Sequence, residues 1–198
     1  MYQKYLKRII DVVLSLCGII VLSPVLLLIA LWIKLDSKGP VFFRQKRVGK
    51  GKTHFSILKF RTMYADTPSD VPTHLLKDPQ ALITKSGHFL RKTSLDELPQ
   101  MFNILAGQMS IIGPRPALWN QYDLIEERDR WGANDVLPGL TGWAQVNGRD
   151  ELPIPVKARY DGEYAKRISF AFDVKIFLKT IGNVLTGKDV VEGGTQGR

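Results

Sequence analysis

The sequence predicts a mixed α/β fold, mainly helical, in which a membrane-embedded N-terminal helix precedes a small β-hairpin and a compact domain. Three observations support it: an uncharged apolar run over 12–33, two β-rich stretches around a Gly-Lys turn at 49–52, and helical spacing of apolar residues near the C-terminus. The 198 residues fit one domain, and 44% hydrophobic with 24% charged residues excludes wholesale disorder. The single cysteine excludes an internal disulfide framework.

The apolar run over 12–33 is long enough to cross a bilayer. Ser23-Pro24 lies in its middle, and Pro24 cannot donate a hydrogen bond to the carbonyl of Ile20, so we predict a break there. The Ser23 hydroxyl can bond a carbonyl one turn earlier and tolerate the break. Basic residues flank both ends, so the positive-inside rule gives no orientation. A straight span and a re-entrant hairpin are equal alternatives on these grounds, and a signal peptide fits poorly because no cleavage motif follows.

The positive charge is concentrated in the first third of the chain. The net charge is +9, with +3 in residues 1–40, +7 in residues 41–62 and −1 in the remaining 136 residues. Such an excess suits nucleic acid, an anionic membrane face or a phosphorylated substrate. The chain carries no DNA-binding motif, and the long apolar run also argues against nucleic acid, so we expect anionic lipid to face residues 44–52.

A β-hairpin is predicted from residues 41–43 and 54–63, which are rich in aromatic and β-branched side chains and flank the turn at 49–52. Because strand side chains alternate, Lys59 and Arg61 are expected on one face, where two cations could clamp a phosphate. A solvated basic edge is the alternative.

The most informative stretch is 94–100. Ser94 and Glu97 have the spacing of a capping box, which predicts a helix N-terminus with Asp96 and Glu97 in its first turn. Backbone N–H groups and the helix dipole there favour ionised carboxylates and attract phosphate. The two acids could simply cap a helix. A carboxylate can also attack phosphorus covalently, and its neighbour can hold a metal ion or manage a proton.

Two stiff loops each carry an arginine. Gly113–Pro116 has proline on both sides of Arg115, and residues 138–149 form a second turn-rich loop that ends at Arg149 after an Asn-Gly turn. Arginine on a rigid loop suits bidentate phosphate binding, although either one alone could be an ordinary surface residue.

A C-terminal helix is predicted from an N-cap at Asp173 to a stop at Gly187. Its apolar stripe suits either the core or the membrane interface; the stripe consists of Val174, Phe177, Leu178, Ile181 and Leu185.

Together these motifs resemble the bacterial sugar transferases, the monotopic phosphoglycosyl transferases that start glycan assembly on a polyprenyl phosphate carrier. The resemblance runs from about Tyr5 to about Leu185 and rests on the Ser-Pro break and four long motifs, at 59–63, 94–100, 109–116 and 138–149. It implies the small form of the family, at the bacterial cytoplasmic membrane. The expected parts are a re-entrant helix over 1–38 broken at Ser23-Pro24, a cytoplasmic catalytic domain over 39–187 with interfacial amphipathic helices, and a flexible tail over 188–198.

The resemblance also implies a reaction. Asp96 would attack the β-phosphate of a UDP-sugar, UMP would leave, and polyprenyl phosphate would then take the phosphosugar from the aspartate. Magnesium is expected, with Asp96 and Glu97 as its ligands, and Glu97 would assist proton removal or support the metal. The phosphate-binding cations that the resemblance implies are Lys59, Arg91, Arg115 and Arg149, and strand alternation adds Arg61 as a further candidate. The competing hypotheses are a direct transferase with a ternary complex and a non-enzymatic membrane scaffold. The motifs select neither the sugar nor the oligomeric state.

Overall fold

The computed structural model describes residues 1–68, 78–148 and 152–186, apart from the side chain of Leu185. Within these ranges the chain is mixed α/β and mainly helical, as predicted. The helices are α1 (Lys7–Asp36), α2 (Lys85–Lys92), α3 (Gln100–Leu105), α4 (Tyr122–Trp131), α5 (Ile154–Arg167) and α6 (Phe170–Thr186). The strands are β1 (Phe42–Val48), β2 (His54–Phe60), β3 (Ser110–Ile112) and β4 (Gly139–Thr141). The predicted tail over 188–198 lies outside the described residues.

The N-terminal helix runs through Pro24 without interruption. A π-helical turn, Tyr2–Leu6, leads into α1, which contains Pro24 near its middle. The Ser23 hydroxyl donates to the Ile20 carbonyl at 2.8 Å. That carbonyl is the one that Pro24, having no N–H, leaves without its helical donor, so the serine replaces the missing bond. The predicted serine bond is confirmed, whereas the predicted break in the secondary structure at Ser23-Pro24 is wrong, because α1 is one continuous helix through Pro24.

Both ends of α1 contact the same globular body. Near its start, Arg8 donates to two carbonyls at the end of α3 at 2.6 and 3.0 Å, and the Asp11 carboxylate accepts from the Ile111 amide at 3.0 Å. At its end, Asp36 accepts from the amide and the hydroxyl of Ser86 at 3.0 and 2.8 Å. Between these anchors α1 buries Ser15, Ile29 and Ile33, while most of its other apolar side chains are exposed, most openly Ile20, Val21, Leu27 and Leu28. Residues 2–36 are long and apolar enough to cross a membrane, and only 11% of their most apolar window is buried.

The predicted hairpin is confirmed. Strands β1 and β2 pair antiparallel with Phe43 opposite Lys59, and a 3₁₀ turn over Lys50–Lys52 joins them, with Gly51 and Lys52 at φ of 62° and 60°. On the face of β2 that carries Lys59, Phe55 and Ile57 are buried in one cluster with Ile104 and Met109. The hairpin therefore turns the Lys59 side chain toward α3 and the segment before it.

A second, smaller sheet joins the two arginine loops. Strands β3 and β4 pair parallel, with Ser110 beside Gly139 and Ile112 beside Thr141. A Cβ atom on Gly139 would lie 2.1 Å from the backbone nitrogen of Gly113, so only glycine permits this approach. The loop that follows β3 is thereby fixed against the start of β4.

Helix α6 departs from the prediction at its start. It is Ser169, not Asp173, whose hydroxyl accepts from a first-turn amide, at 3.3 Å. The Asp173 carboxylate is buried and accepts from Tyr2 at 2.6 Å, Lys7 at 2.7 Å and Tyr164 at 2.8 Å. The predicted N-cap at Asp173 is therefore wrong, because three donors from other elements engage the side chain. The predicted stop at Gly187 lies outside the described residues.

The apolar stripe predicted on this helix is mostly not core. Its members Val174, Phe177, Leu178 and Ile181 are exposed, and Phe170 and Val184 extend the same apolar surface. The core side of α6 is formed by Phe172 and Ile176, which pack with Ile112, Val146 and Tyr164. Of the two interpretations of the stripe, burial in the core of this chain is wrong.

Candidate active site

The acid pair lies on a short 3₁₀ turn, Leu95–Glu97, between α2 and α3. Ser94 has φ of 56° and its side chain caps nothing, while α3 begins later, with Pro99 at its N-cap position. The predicted capping box is therefore wrong. The Glu97 carboxylate is bound by two cations instead of closing back on Ser94. With α3 only six residues long, we assign the electrostatics of the pair to side-chain charges and not to a helix terminus.

Glu97 is held by two cations from different elements. Lys59 Nζ from β2 donates to Glu97 Oε1 at 2.6 Å, and Arg115 Nη2 from the loop after β3 donates to the same oxygen at 3.0 Å. The exposed fractions of the three side chains are 11% for Glu97, 15% for Lys59 and 26% for Arg115. Lys59 Nζ lies 4.0 Å from Asp96 Oδ2, beyond hydrogen-bond range. The two acids thus have different surroundings: one is bound by donors, and the other lies beside a cation without a bond to it.

The charges around the pair separate the two pKa values. Burial raises the pKa of Asp96, and the Glu97 charge adds to that rise, although three cations oppose it. Burial also disfavours ionised Glu97, but Arg115 and Lys59 outweigh it and hold the pKa of Glu97 well below its usual range. Burial lowers the pKa of the Lys59 ammonium. Glu97 is therefore the acid whose ionised form is favoured by its surroundings, and Asp96 is the carboxylate with the greater proton affinity.

Arg91 reaches the site from the last turn of α2. Its Nε donates to the Thr62 hydroxyl at 3.1 Å, and its charge favours ionised Asp96. The helix is held close to the segment that follows β2, since a Cβ atom on Gly87 would lie 2.0 Å from the Thr62 carbonyl oxygen. The structure thus brings three predicted cations to the acid pair, from β2, α2 and the loop after β3.

Arg61 is not among them. Its guanidinium donates to the Pro40 carbonyl at 2.6 Å, to the Ser37 hydroxyl and carbonyl at 2.7 and 2.9 Å, and to the Met63 carbonyl at 3.3 Å. The side chain is buried, and these contacts connect the end of α1 to the hairpin. The expectation that it shares a face with Lys59 is wrong because β2 ends at Phe60, so the strand alternation does not extend to Arg61. The remaining predicted cation, Arg149, lies outside the described residues.

The carboxylate oxygens of the site are suited to bind a magnesium ion that is also bound by the phosphates of a substrate. The described residues contain no cluster of three or more His, Cys, Asp or Glu side chains that would form a closed metal cage. Mg²⁺ is commonly bound through one or two carboxylates together with substrate phosphates. Asp96 and Glu97 supply two neighbouring carboxylates that match that pattern.

Sequence reasoning missed the groups that hold Arg115 in place. Arg47, expected at the membrane surface, donates to the Pro116 carbonyl at 2.9 Å. Arg128 donates to the Arg115 carbonyl at 3.0 Å and pairs with Asp161. These partners are separated by 13 to 69 positions along the chain, so no local pattern could have found them.

The site is thus a carboxylate pair set among cations, on a fold with an exposed apolar helix that is long enough to cross a membrane. The bacterial sugar transferase family model matches residues 2–187, and the chain belongs to that family.

Several relatives have informative names. The chain is 40% identical over 194 residues to a UDP-glucose:undecaprenyl-phosphate glucose-1-phosphate transferase of Xanthomonas campestris pv. campestris, covering 94% of this chain and 40% of the relative. It is 39% identical over 191 residues to a UDP-N-acetylgalactosamine-undecaprenyl-phosphate N-acetylgalactosaminephosphotransferase of Aeromonas hydrophila, covering 92% and 44%. The uncharacterized sugar transferase EpsL of Bacillus subtilis is 37% identical over 185 residues, covering 93% and 90%. The chain thus spans less than half the length of the first two relatives and nearly all of the third.

Proposed function

We propose that this protein transfers a sugar 1-phosphate from a UDP-sugar to polyprenyl (undecaprenyl) phosphate through a covalent intermediate on Asp96, with release of UMP. The names of the relatives support the two substrates. The observation that carries the proposal is the difference between the two acids. Glu97 is bound by Lys59 and Arg115, whereas Asp96 lies 4.0 Å from Lys59 with its pKa raised. A partly desolvated carboxylate beside phosphate-binding cations is suited to attack phosphorus.

In the first step, an Asp96 carboxylate oxygen attacks the β-phosphorus of the UDP-sugar. A bond forms between that oxygen and phosphorus, and the bond from phosphorus to the oxygen that bridges to the α-phosphate breaks. UMP leaves with the electron pair. Lys59, Arg91 and Arg115 supply the positive charge that offsets repulsion between the carboxylate and the diphosphate.

In the second step, a phosphate oxygen of the polyprenyl carrier attacks the same phosphorus. The bond to Asp96 breaks, the carboxylate is restored and the product is a polyprenyl diphosphosugar. Glu97 keeps Lys59 and Arg115 in place through both steps, because both cations bind the same oxygen of its carboxylate. Mg²⁺, held by Asp96 and Glu97 together with the diphosphate, would supply charge neutralisation when bound.

The membrane arrangement belongs to the same proposal. We place the catalytic domain on the cytoplasmic face of the bacterial cytoplasmic membrane, with α1 entering and leaving on that face. The anchors at Arg8, Asp11 and Asp36 support a re-entrant helix, because a straight span would carry one end away from the body that both ends contact. The exposed apolar side of α6 would lie at the lipid interface, and the exposed basic residues Arg44, Lys46 and Lys50 would face anionic headgroups.

Cysteine labelling tests the topology. In a Cys17→Ser background, Gln3→Cys and Lys38→Cys should both react with a membrane-impermeant maleimide in inverted membrane vesicles, and neither should react in intact spheroplasts. Both positions are exposed and flank α1. Tyr122→Cys, on the exposed surface of α4, reports on which side of the membrane the catalytic domain lies. Labelling of Gln3→Cys and Lys38→Cys from opposite sides would establish a straight span instead.

A UMP-release assay tests the reaction. The purified protein in detergent, with undecaprenyl phosphate, Mg²⁺ and a panel of UDP-sugars, should release UMP with at least one sugar and form the matching lipid diphosphosugar. Release of UMP and labelling of the enzyme without acceptor would support the covalent route. Turnover that strictly requires both substrates together, with no labelled enzyme, would favour a direct transferase, and no turnover with any sugar would contradict the proposal.

A further inference from the structure

The loop that carries Arg115 is held at four successive carbonyl groups. The amide of Gly139 donates to the Pro114 carbonyl at 2.8 Å, and the amide of Val48 donates to the Ala117 carbonyl at 2.9 Å. Between them, the Arg128 and Arg47 guanidinium groups donate to the Arg115 and Pro116 carbonyls at 3.0 and 2.9 Å. The prolines on either side of Arg115 fix φ and contribute no N–H. The backbone of this loop is therefore fixed from β4, α4 and β1 at once.

The bond to Arg115 itself comes from a buried ion pair. Arg128 is 4% exposed and Asp161 is 1% exposed, and they join α4 to α5. Nε and Nη2 of Arg128 donate to Asp161 Oδ2 at 2.8 and 2.6 Å, and Nη2 also donates to the Arg115 carbonyl. Burying two charges costs desolvation free energy that an apolar pair would not, so stability alone is a weak reason for this choice of residues. A guanidinium, unlike an alkyl chain, can bind the carboxylate and the carbonyl together.

We propose that Arg128, oriented by Asp161, is a positioning residue for Arg115 and so sets where the Arg115 guanidinium meets Glu97 and the substrate phosphates. The inference rests on the proposed function, because it gives Arg115 a phosphate to bind. It assigns a role to a buried pair in α4 and α5 that touches neither acid of the site through any described contact. An error of about 1 Å in a phosphate-binding group can cost about 100-fold in rate.

A double-mutant cycle separates positioning from general stability. Arg128→Lys keeps a cation opposite Asp161 but gives up the planar fork, and Asp161→Asn removes the charge that orients Arg128. Each should lower kcat/KM for UMP release at least about tenfold in the wild-type background. In an Arg115→Ala background, each should cost less than about twofold, since the side chain they position is gone. Arg130→Gln, an exposed arginine on the same helix, is the matched control and should leave activity unchanged.

The same double-mutant cycle is then applied to the affinity for inorganic pyrophosphate, measured by isothermal titration calorimetry. This measurement requires no turnover. Arg115→Ala and Arg128→Lys should each weaken pyrophosphate binding, and the double variant should bind no more weakly than Arg115→Ala. If Arg128→Lys lowers kcat/KM or pyrophosphate affinity by the same factor in the wild-type and Arg115→Ala backgrounds, the inference is overturned. If the wild type binds pyrophosphate without releasing UMP from any UDP-sugar, the proposed reaction fails while the positioning role is still tested. Absence of pyrophosphate binding by the wild type would overturn the positioning role as well.

Discussion

Replacing Asp96 with asparagine should abolish UMP release and the trapping of a protein-bound phosphosugar. The neutral amide cannot displace UMP, so the rate should fall about 10⁶-fold, to the background, as when a covalent nucleophile is removed. The fold should survive, because asparagine has nearly the same shape and burial already disfavours the charge that the substitution removes. Single-turnover UMP release and intact-protein mass spectrometry after incubation with UDP-sugar alone measure the two effects, and thermal unfolding checks the fold.

Asp129→Asn is the matched control for this change. Asp129 lies on the surface of α4 and pairs with Lys52, away from the acid pair, so its variant should keep full UMP release and phosphosugar trapping. Normal UMP release by Asp96→Asn would rule out Asp96 as the nucleophile. Retained trapping of a phosphosugar by Asp96→Asn, with the one UMP per enzyme that its formation releases, would place the covalent bond on another residue.

Removing the Lys59 charge should produce the second largest effect. Lys59→Met deletes a cation that binds Glu97 and lies 4.0 Å from Asp96, so kcat/KM should fall by about 10²- to 10³-fold, the usual cost of one preorganised donor. Lys52→Met, at an exposed position on the hairpin turn, should leave kcat/KM unchanged. Loss of less than about threefold in Lys59→Met would contradict a role for this cation at the reacting phosphate.

The pH dependence of the first step should change in a defined direction when a charge beside Asp96 is removed. Asp96 attacks as the carboxylate, so the rate of the first step falls as the pH drops through its pKa, which is already raised. The Lys59 charge lowers that pKa, so Lys59→Met should move the acid limb to higher pH. The Glu97 charge raises it, so Glu97→Gln should move the limb to lower pH. Opposite shifts would identify Asp96 as the titrating group, whereas shifts in one direction or none would assign the limb elsewhere.

The parts of the fold that sequence analysis predicted correctly are those set by local chemistry. The hairpin followed from β-rich stretches around a Gly-Lys turn, and the Ser23 bond to the Ile20 carbonyl followed from a proline that lacks an N–H. The predictions that failed are those in which a nearby motif competed with a distant partner. Glu97 matched a capping box but binds Lys59, and Asp173 matched an N-cap but binds donors from α1 and α5. A carboxylate in a partly buried position goes to the strongest donors within reach, and sequence spacing does not show which donors those are.

The sequence by itself determined the apolar helix, the hairpin and the stiff loop around Arg115, and it pointed to Asp96 and Glu97 as candidate site residues, because hydrophobic length, turn residues and contiguous motifs are properties of neighbouring positions. Only the tertiary structure decided which cations serve that pair. Lys59, Arg91 and Arg115 come from three separate elements and meet at the acids, while Arg61, one position beyond β2, binds the end of α1 instead. The tertiary structure likewise brought Arg128, paired with Asp161, into hydrogen-bond contact with the Arg115 carbonyl. The physical reason is that charge interactions fall off with distance in space, and the packing of β2, α2, α4 and α5 sets those distances.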